Sequence, residues 1–355
     1  MIAKSRVYTI IEMVRRLARA YSWESFNMSH KHRATRLFSV LTIISLSACQ
    51  SSAFGGLGAP AAAAFHNSAN LHRSALETFA GSKGDKLLYV SQYRGAVTVL
   101  SYPEGKQIGS LSGFQLPTGL CSDKHGHVFV VDSQLQEIFE YMHGGTSAVA
   151  TLDDTGNYPN GCAVDGHTGN LAVAGGGFAS ANIAVYPKGS GSPTVYVDGN
   201  DNEFYYCTYD NKGNLFASGS IGSTFSLAVL RKGGEKISDI GLHGVNPGGA
   251  IQWDGKHLAL ESPAGNSRSR GPITIYQLDV SGSSASIVNT IELQDKADRN
   301  PAYGVQFWIA NGTIASPEMI RRNIGLWRYP SGGKNWKTIR FPARYARLVG
   351  LTISG

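Results

Sequence analysis

Several common chemistries are missing from this sequence. It has no Gly-x-Ser-x-Gly motif, which excludes the serine hydrolases built on that strained strand-to-helix turn. Gly175-Gly176-Gly177 is followed by no helical pattern, so it is not a phosphate-cradling loop. The histidines beyond residue 49 are scattered, and His125-Gly126-His127 reads as a turn; zinc-ligand spacing is absent. The apolar run Leu37 to Leu46 falls short of the roughly 20 residues that span a bilayer as a helix. Charged residues are only 16% of the chain, and the net charge of +7 does not belong to the chain as a whole. Residues 1–48 carry eight basic side chains against two acidic ones, and the remainder holds 24 against 23. A global electrostatic attraction to nucleic acid is therefore excluded.

What the sequence does have is glycine, at 43 residues, and a repeat. Pro117 to Asp132 reads as a short apolar strand ending at an Asp, a tight Gly-containing turn and a second apolar strand. Asp123 is followed by Asp165, Asp210 and Asp254 at spacings of 42, 45 and 44 residues. Strands at that period, with no helical pattern, predict an all-β fold, a six-bladed β-propeller with four-stranded blades.

The expected blades start near Leu87, Pro117, Pro159, Phe204, Gly249 and Tyr303, with an insertion from Ser262 to Pro272 in the fifth. The first lacks its inner strand, and Val349 to Ser354 is half a template with nothing after it. The C-terminal strand is therefore expected to complete blade one and close the ring. Third strands tend to end on tyrosine (Tyr102, Tyr141, Tyr186, Tyr329), a residue suited to packing between blades.

Ahead of the propeller, residues 1–48 read as a leader and 49–82 as a flexible Ser/Ala/Gly tether, leaving 83–355 for the folded domain. Met28 to Cys49 has the basic start, apolar core and small residues of an export signal, so Met28 reads as the true start. Leu46-Ser47-Ala48-Cys49 resembles the lipobox of bacterial lipoproteins, which implies lipidation of Cys49. Gln50 after it, where the family's retention rule would need Asp, implies delivery to the outer membrane. The lipid is then the only membrane contact expected.

Pro117-Thr118-Gly119, Pro159-Asn160-Gly161 and the Asp-Gly turns resemble six-bladed propellers of the NHL-repeat kind and of the gluconolactonase and luciferin-regenerating family, over residues 85–355. In gluconolactonase-like enzymes such a Pro-Asn-Gly places the Asn at the central channel as a divalent-metal ligand. The resemblance thus offers Asn160, with Asn246 and Glu203, as ligands for Ca2+ or another divalent cation in a lactonase or esterase. The competing reading is an Asn favoured by a turn before a strand. The chain departs from the family pattern at Glu203-Phe204-Tyr205-Tyr206 and at Arg347-Leu348-Val349, where the family would offer a Glu.

Eight of the twelve arginines beyond Cys49 fall in loops expected on one arc of one face: Arg94, Arg268, Arg270, Arg299, Arg321, Arg322, Arg344 and Arg347. Guanidinium forks pair with carboxylates and phosphates, so the arc suits an anionic glycan or a protein partner; the competing reading is a solvated loop surface. No catalytic constellation is complete, which makes a binding module the first functional reading, a metal-dependent hydrolase the second and a scaffold the third. Cys121, Cys162 and Cys207 fall on expected inner strands of consecutive blades. They are expected as three buried thiols, because such strands are often too far apart for a disulfide.

Overall fold

The computed structural model describes residues 77–80, 82, 84–93, 95–177, 180–200, 203–221, 224–245, 249–262, 272–295, 305–318, 322–342 and 347–355. The chain forms β1 (Leu87–Gln92), β2 (Ala96–Ser101) and β3 (Gln107–Ser112), then β4 (Pro117–Ser122), β5 (Val128–Asp132), β6 (Glu137–Tyr141) and β7 (Ala148–Asp153). A third run comprises β8 (Pro159–Val164), β9 (Leu171–Gly177), β10 (Ser180–Tyr186) and β11 (Thr194–Asp198). A fourth comprises β12 (Glu203–Tyr209), β13 (Leu215–Ile221), β14 (Thr224–Leu230) and β15 (Ile237–Asp239).

Beyond β16 (Gly241–Leu242) come β17 (Ile251–Trp253), β18 (Leu258–Ser262), β19 (Ile273–Ser281) and β20 (Ser284–Gln294). They are followed by β21 (Trp308–Ala310), β22 (Thr313–Glu318), β23 (Asn323–Arg328) and β24 (Gly332–Arg340). These nine strands count as one sheet, because β20 makes short parallel pairings with β16 and β24. The last strand, β25 (Leu348–Ser354), pairs antiparallel with β1, giving a four-stranded sheet in the order β25-β1-β2-β3. Successive antiparallel sheets of this kind are the units of a β-propeller.

Two local rules in the sequence produce this repetition. Second strands β5 and β18 are buried at every residue, as expected for sheets covered on both faces. The recurring Asp accepts hydrogen bonds from the N–H groups of the turn that follows it. Asp123 takes His125 and His127 at 2.9 and 2.8 Å, and Asp210 takes Lys212 and Asn214 at 2.8 Å each. Asp254 takes Lys256 and His257 at 2.8 and 2.6 Å. The short acidic side chain thus satisfies turn amides that no ladder reaches.

Third-strand tyrosines tie sheets together. The Tyr186 hydroxyl donates to Asp153 O and Asp154 Oδ1, both at 2.8 Å, and the Tyr329 hydroxyl donates to Asp254 Oδ2 at 2.6 Å. Burial raises both hydroxyls above the ordinary tyrosine range, and the carboxylates they meet raise them further. The folded part also extends ahead of residue 83. Phe79 N–H donates to Gly144 O at 2.8 Å, and Thr146 N–H donates to Glu77 O at 3.0 Å.

First strands of consecutive sheets approach more closely than a side chain would permit. A Cβ on Gly119 would lie 2.6 Å from Asn160 O, one on Gly161 2.6 Å from Tyr205 O, and one on Gly350 2.5 Å from Thr118 O. Each glycine sits where the pairing register of its strand shifts. A bulge bends the strand there, and the missing Cβ lets the next backbone fill the space.

This close approach overturns the expectation of three thiols. Cys121 and Cys162 form a disulfide with a Cα separation of 5.6 Å, inside the range the bond requires. Cys207 is a buried free thiol, pushed up to about 12 by burial.

Candidate functional site

The first strands present two ends. At their N-terminal ends, Asn160 and Glu203 come together: Asn160 Nδ2 donates to Glu203 Oε1 at 3.1 Å and to Phe204 O at 3.3 Å. Strand β4 fixes Asn160 from behind, because Thr118 Oγ1 donates to Asn160 O at 2.8 Å. Burial raises the Glu203 carboxyl, and the Asn160 hydrogen bond opposes that rise. Two of the three ligands inferred from the sequence are therefore neighbours; Asn246 lies outside the described residues. A hard cation takes about 6–8 oxygen ligands, so this pair would need further donors. Among the described residues no cluster of three or more His, Cys, Asp or Glu side chains forms a metal site.

Of the eight arginines, Arg322 and Arg347 are described, and Arg94, Arg268, Arg270, Arg299, Arg321 and Arg344 lie outside the described residues, as does Cys49. Arg347 is exposed, and its carbonyl accepts the N–H of Tyr93, itself exposed, at 2.8 Å. The segment entering β25 and the loop after β1 thus share one stretch of rim. Arg322 has a left-handed backbone with φ of 57°. Its N–H donates to Glu318 O at 2.9 Å, and its carbonyl accepts Phe341 N–H at 3.0 Å. The loop before β23 is therefore laced to the segment that leaves β24. Asp132, at the same end of β5, is fully buried and accepts from the N–H groups of Gln115, Leu116, Gln134 and Leu135 at 2.7–3.2 Å. It caps the loops it joins.

At the opposite ends, the Asp turns are stitched to one another. Ser354 Oγ donates to Gly126 O at 2.5 Å, Lys124 Nζ to Gly166 O at 3.0 Å, and Asn211 Nδ2 to Gly255 O at 2.9 Å. His167 Nε2 donates to Asn211 O at 3.0 Å, which in the neutral ring leaves Nδ1 as an acceptor. Inside this belt lies a cavity of about 380 Å³ lined by turn residues and Trp308. A second cavity of about 190 Å³ shares Trp308 and Ser122 and is walled by Cys162 and Cys207. Trp308 was not singled out from the sequence. It belongs to no repeated motif, and its position becomes visible only once the sheets are assembled.

No protein-family model matches the chain, and no curated protein matches it. Solved structures do. A structure of a nidogen/laminin complex superposes with a TM-score of 0.61 at 14% identity, covering 76% of this chain and 98% of that one. A protein of unknown function from Bacteroides caccae superposes with a TM-score of 0.58 at 12% identity, covering 76% and 99%. The hydrazine synthase of Kuenenia stuttgartiensis gives 0.51 at 12% identity, covering 66% and 70%. These likenesses establish the fold as a β-propeller. At such identities they say nothing of activity.

Proposed function

We propose that this protein is a lipid-anchored, six-bladed binding propeller of the bacterial envelope that takes an anionic glycan or protein partner on its arginine-bearing rim. Lipid on Cys49 would hold it to the outer membrane, since each buried methylene contributes about 0.8 kcal/mol. The pairing of β25 with β1 supports closure of the ring by the C-terminal strand. The single observation that carries the binding reading is the bond between Tyr93 N–H and Arg347 O. It sets an exposed tyrosine beside an exposed arginine on one rim, the two residue types that dominate recognition surfaces.

The test is retention on an acidic polysaccharide column. Wild-type protein is retained and elutes with salt, and Arg347→Ala combined with Arg321→Ala abolishes retention. A double variant that still binds rejects the rim.

A second reading, a metal-dependent lactonase, is favoured by the juxtaposition of Asn160 and Glu203. It requires Ca2+ or Mn2+ to raise the melting temperature and Asn160→Ala to remove that rise.

A further inference from the structure

We propose that the mouth at the Asp turns, on the side away from the arginine rim, is a separate binding site for a neutral pyranose sugar stacked on Trp308. The cavity there, about 380 Å³, falls within the range of about 300–1,000 Å³ typical of small-molecule sites. Trp308 packs against two different apolar clusters, one containing Leu348 and Leu351 and the other containing Cys121 and Cys162. Its indole is thereby held in one orientation, as a rigid platform whose aromatic surface suits the C–H face of a sugar ring.

Around that platform the lining alternates donors and acceptors. Lys124 Nζ spends one proton on Gly166 O and keeps two. His167, as a neutral ring, offers Nδ1 as an acceptor, and His125 is exposed at the mouth. Asp123 and Asp165 also line the cavity; Asp123 Oδ1 is committed to its turn amides, and both Asp165 oxygens are committed, to His167 N–H and the Thr168 hydroxyl. A ligand with one apolar face and a rim of hydroxyl groups matches this inventory.

The charge balance decides against an anion. Two carboxylates and one ammonium line the cavity, so a carboxylate or sulfate entering it meets no net positive field. That separates this site from the rim, where arginines predominate in the sequence. The belt of turn-to-turn hydrogen bonds means the mouth is largely formed before a ligand arrives, which lowers the entropy lost on binding.

The experiment is fluorine NMR of the full-length protein labelled with 5-fluorotryptophan, with the Trp308 resonance assigned by its loss in Trp308→Phe. Methyl glucoside, methyl galactoside and N-acetylglucosamine are titrated against glucuronate and inorganic sulfate. The expected result is a saturable shift of the Trp308 resonance by at least one neutral sugar, with no comparable shift from the anions. Lys124→Ala should weaken that sugar by about tenfold while the unliganded spectrum shows the fold intact. Trp308→Ala disturbs packing and is therefore not the deciding variant. The proposal is overturned if no neutral sugar moves the resonance, if glucuronate or sulfate binds as tightly, or if Lys124→Ala leaves the affinity unchanged. Arg347→Ala should leave the titration as it is, so failure at the rim is read separately from failure here.

Discussion

Gln306 brackets the backbone of Leu120, bonding the two peptide groups that flank it: its Oε1 accepts Leu120 N–H at 2.9 Å, and its Nε2 donates to Leu120 O at 2.6 Å. The two residues are 186 positions apart, and the amide passes Gly350, where a Cβ would lie 2.6 Å from Gln306 Oε1. Replacing Gln306 by Ala leaves one buried donor and one buried acceptor unpaired, each worth about 1–3 kcal/mol. Gln306→Ala is expected to lower the urea midpoint clearly. Gln306→Glu, which keeps the acceptor and loses the donor, should fall between the two. An unchanged midpoint in Gln306→Ala would show that the bridge contributes nothing.

Gly161 packs against backbone, which cannot rotate away. A methyl group there meets Tyr205 O at 2.6 Å and Tyr206 Cα at 3.0 Å. Gly161→Ala should destabilise by about 1–3 kcal/mol through overpacking. Gly156→Ala serves as a comparison, since its added Cβ meets nothing within 4 Å although its φ of 93° is itself unfavourable. Chemical denaturation of both variants separates contact from backbone strain.

The Cys121–Cys162 bond closes a segment of 41 residues, and chain-entropy reasoning assigns such a loop about 4 kcal/mol. Reduction, or the double change Cys121→Ser with Cys162→Ser, is expected to lower the thermal midpoint. Cys207→Ser should have a smaller effect. Mass spectrometry after thiol alkylation should find one reactive thiol among these three cysteines in the unfolded, non-reduced protein, and three reactive thiols after reduction.

Glu261 is 1% exposed, and among the described residues neither carboxylate oxygen has a hydrogen-bond partner. Burial holds its carboxyl well above the usual glutamate value and, after burial of the ring itself, Glu261 also raises the hydroxyl of Tyr206. A carboxyl raised on folding binds more protons in the folded state than in the unfolded one. Its contribution is therefore complete below the ordinary glutamate pKa and is lost as pH rises towards and through the folded value, at up to about 1.4 kcal/mol per pH unit. Glu261→Gln should flatten the fall of melting temperature from about pH 4.5 upwards and be relatively more stable at neutral pH. A parallel pH profile for both proteins would contradict this assignment.

The repeating skeleton is legible in the chain because its determinants are local. Asp123, Asp165, Asp210 and Asp254 each cap the turn that immediately follows, and the template remnant at the C-terminus pairs where it was expected, with β1. The disulfide escapes the sequence reading because inner strands of adjacent blades are expected to lie too far apart, whereas here they approach closely; Cys121 also stands two residues before its Asp and Cys162 three. The register shifts at Gly119 and Gly161 bring those offset positions face to face, and a bulge leaves no clear mark in composition. Asn160 and Glu203, offered by the family resemblance as two ligands of three, are hydrogen-bonded neighbours, a proximity that says nothing of metal binding. Trp308, Gln306 and Glu261 carry no repeated signal, since their roles depend on partners far away in the chain.

The outer edge of β20 is occupied at both ends, by Gly241 and Leu242 beside Ser284 and Ala285, and by Gly333 and Lys334 beside Leu293 and Gln294. Only the middle of an eleven-residue strand is left open, where Ile287 and Val288 face solvent. A stray strand from another molecule would find too few free amides there to dock. This staple at either end of β20 limits polymerisation of the protein through that edge.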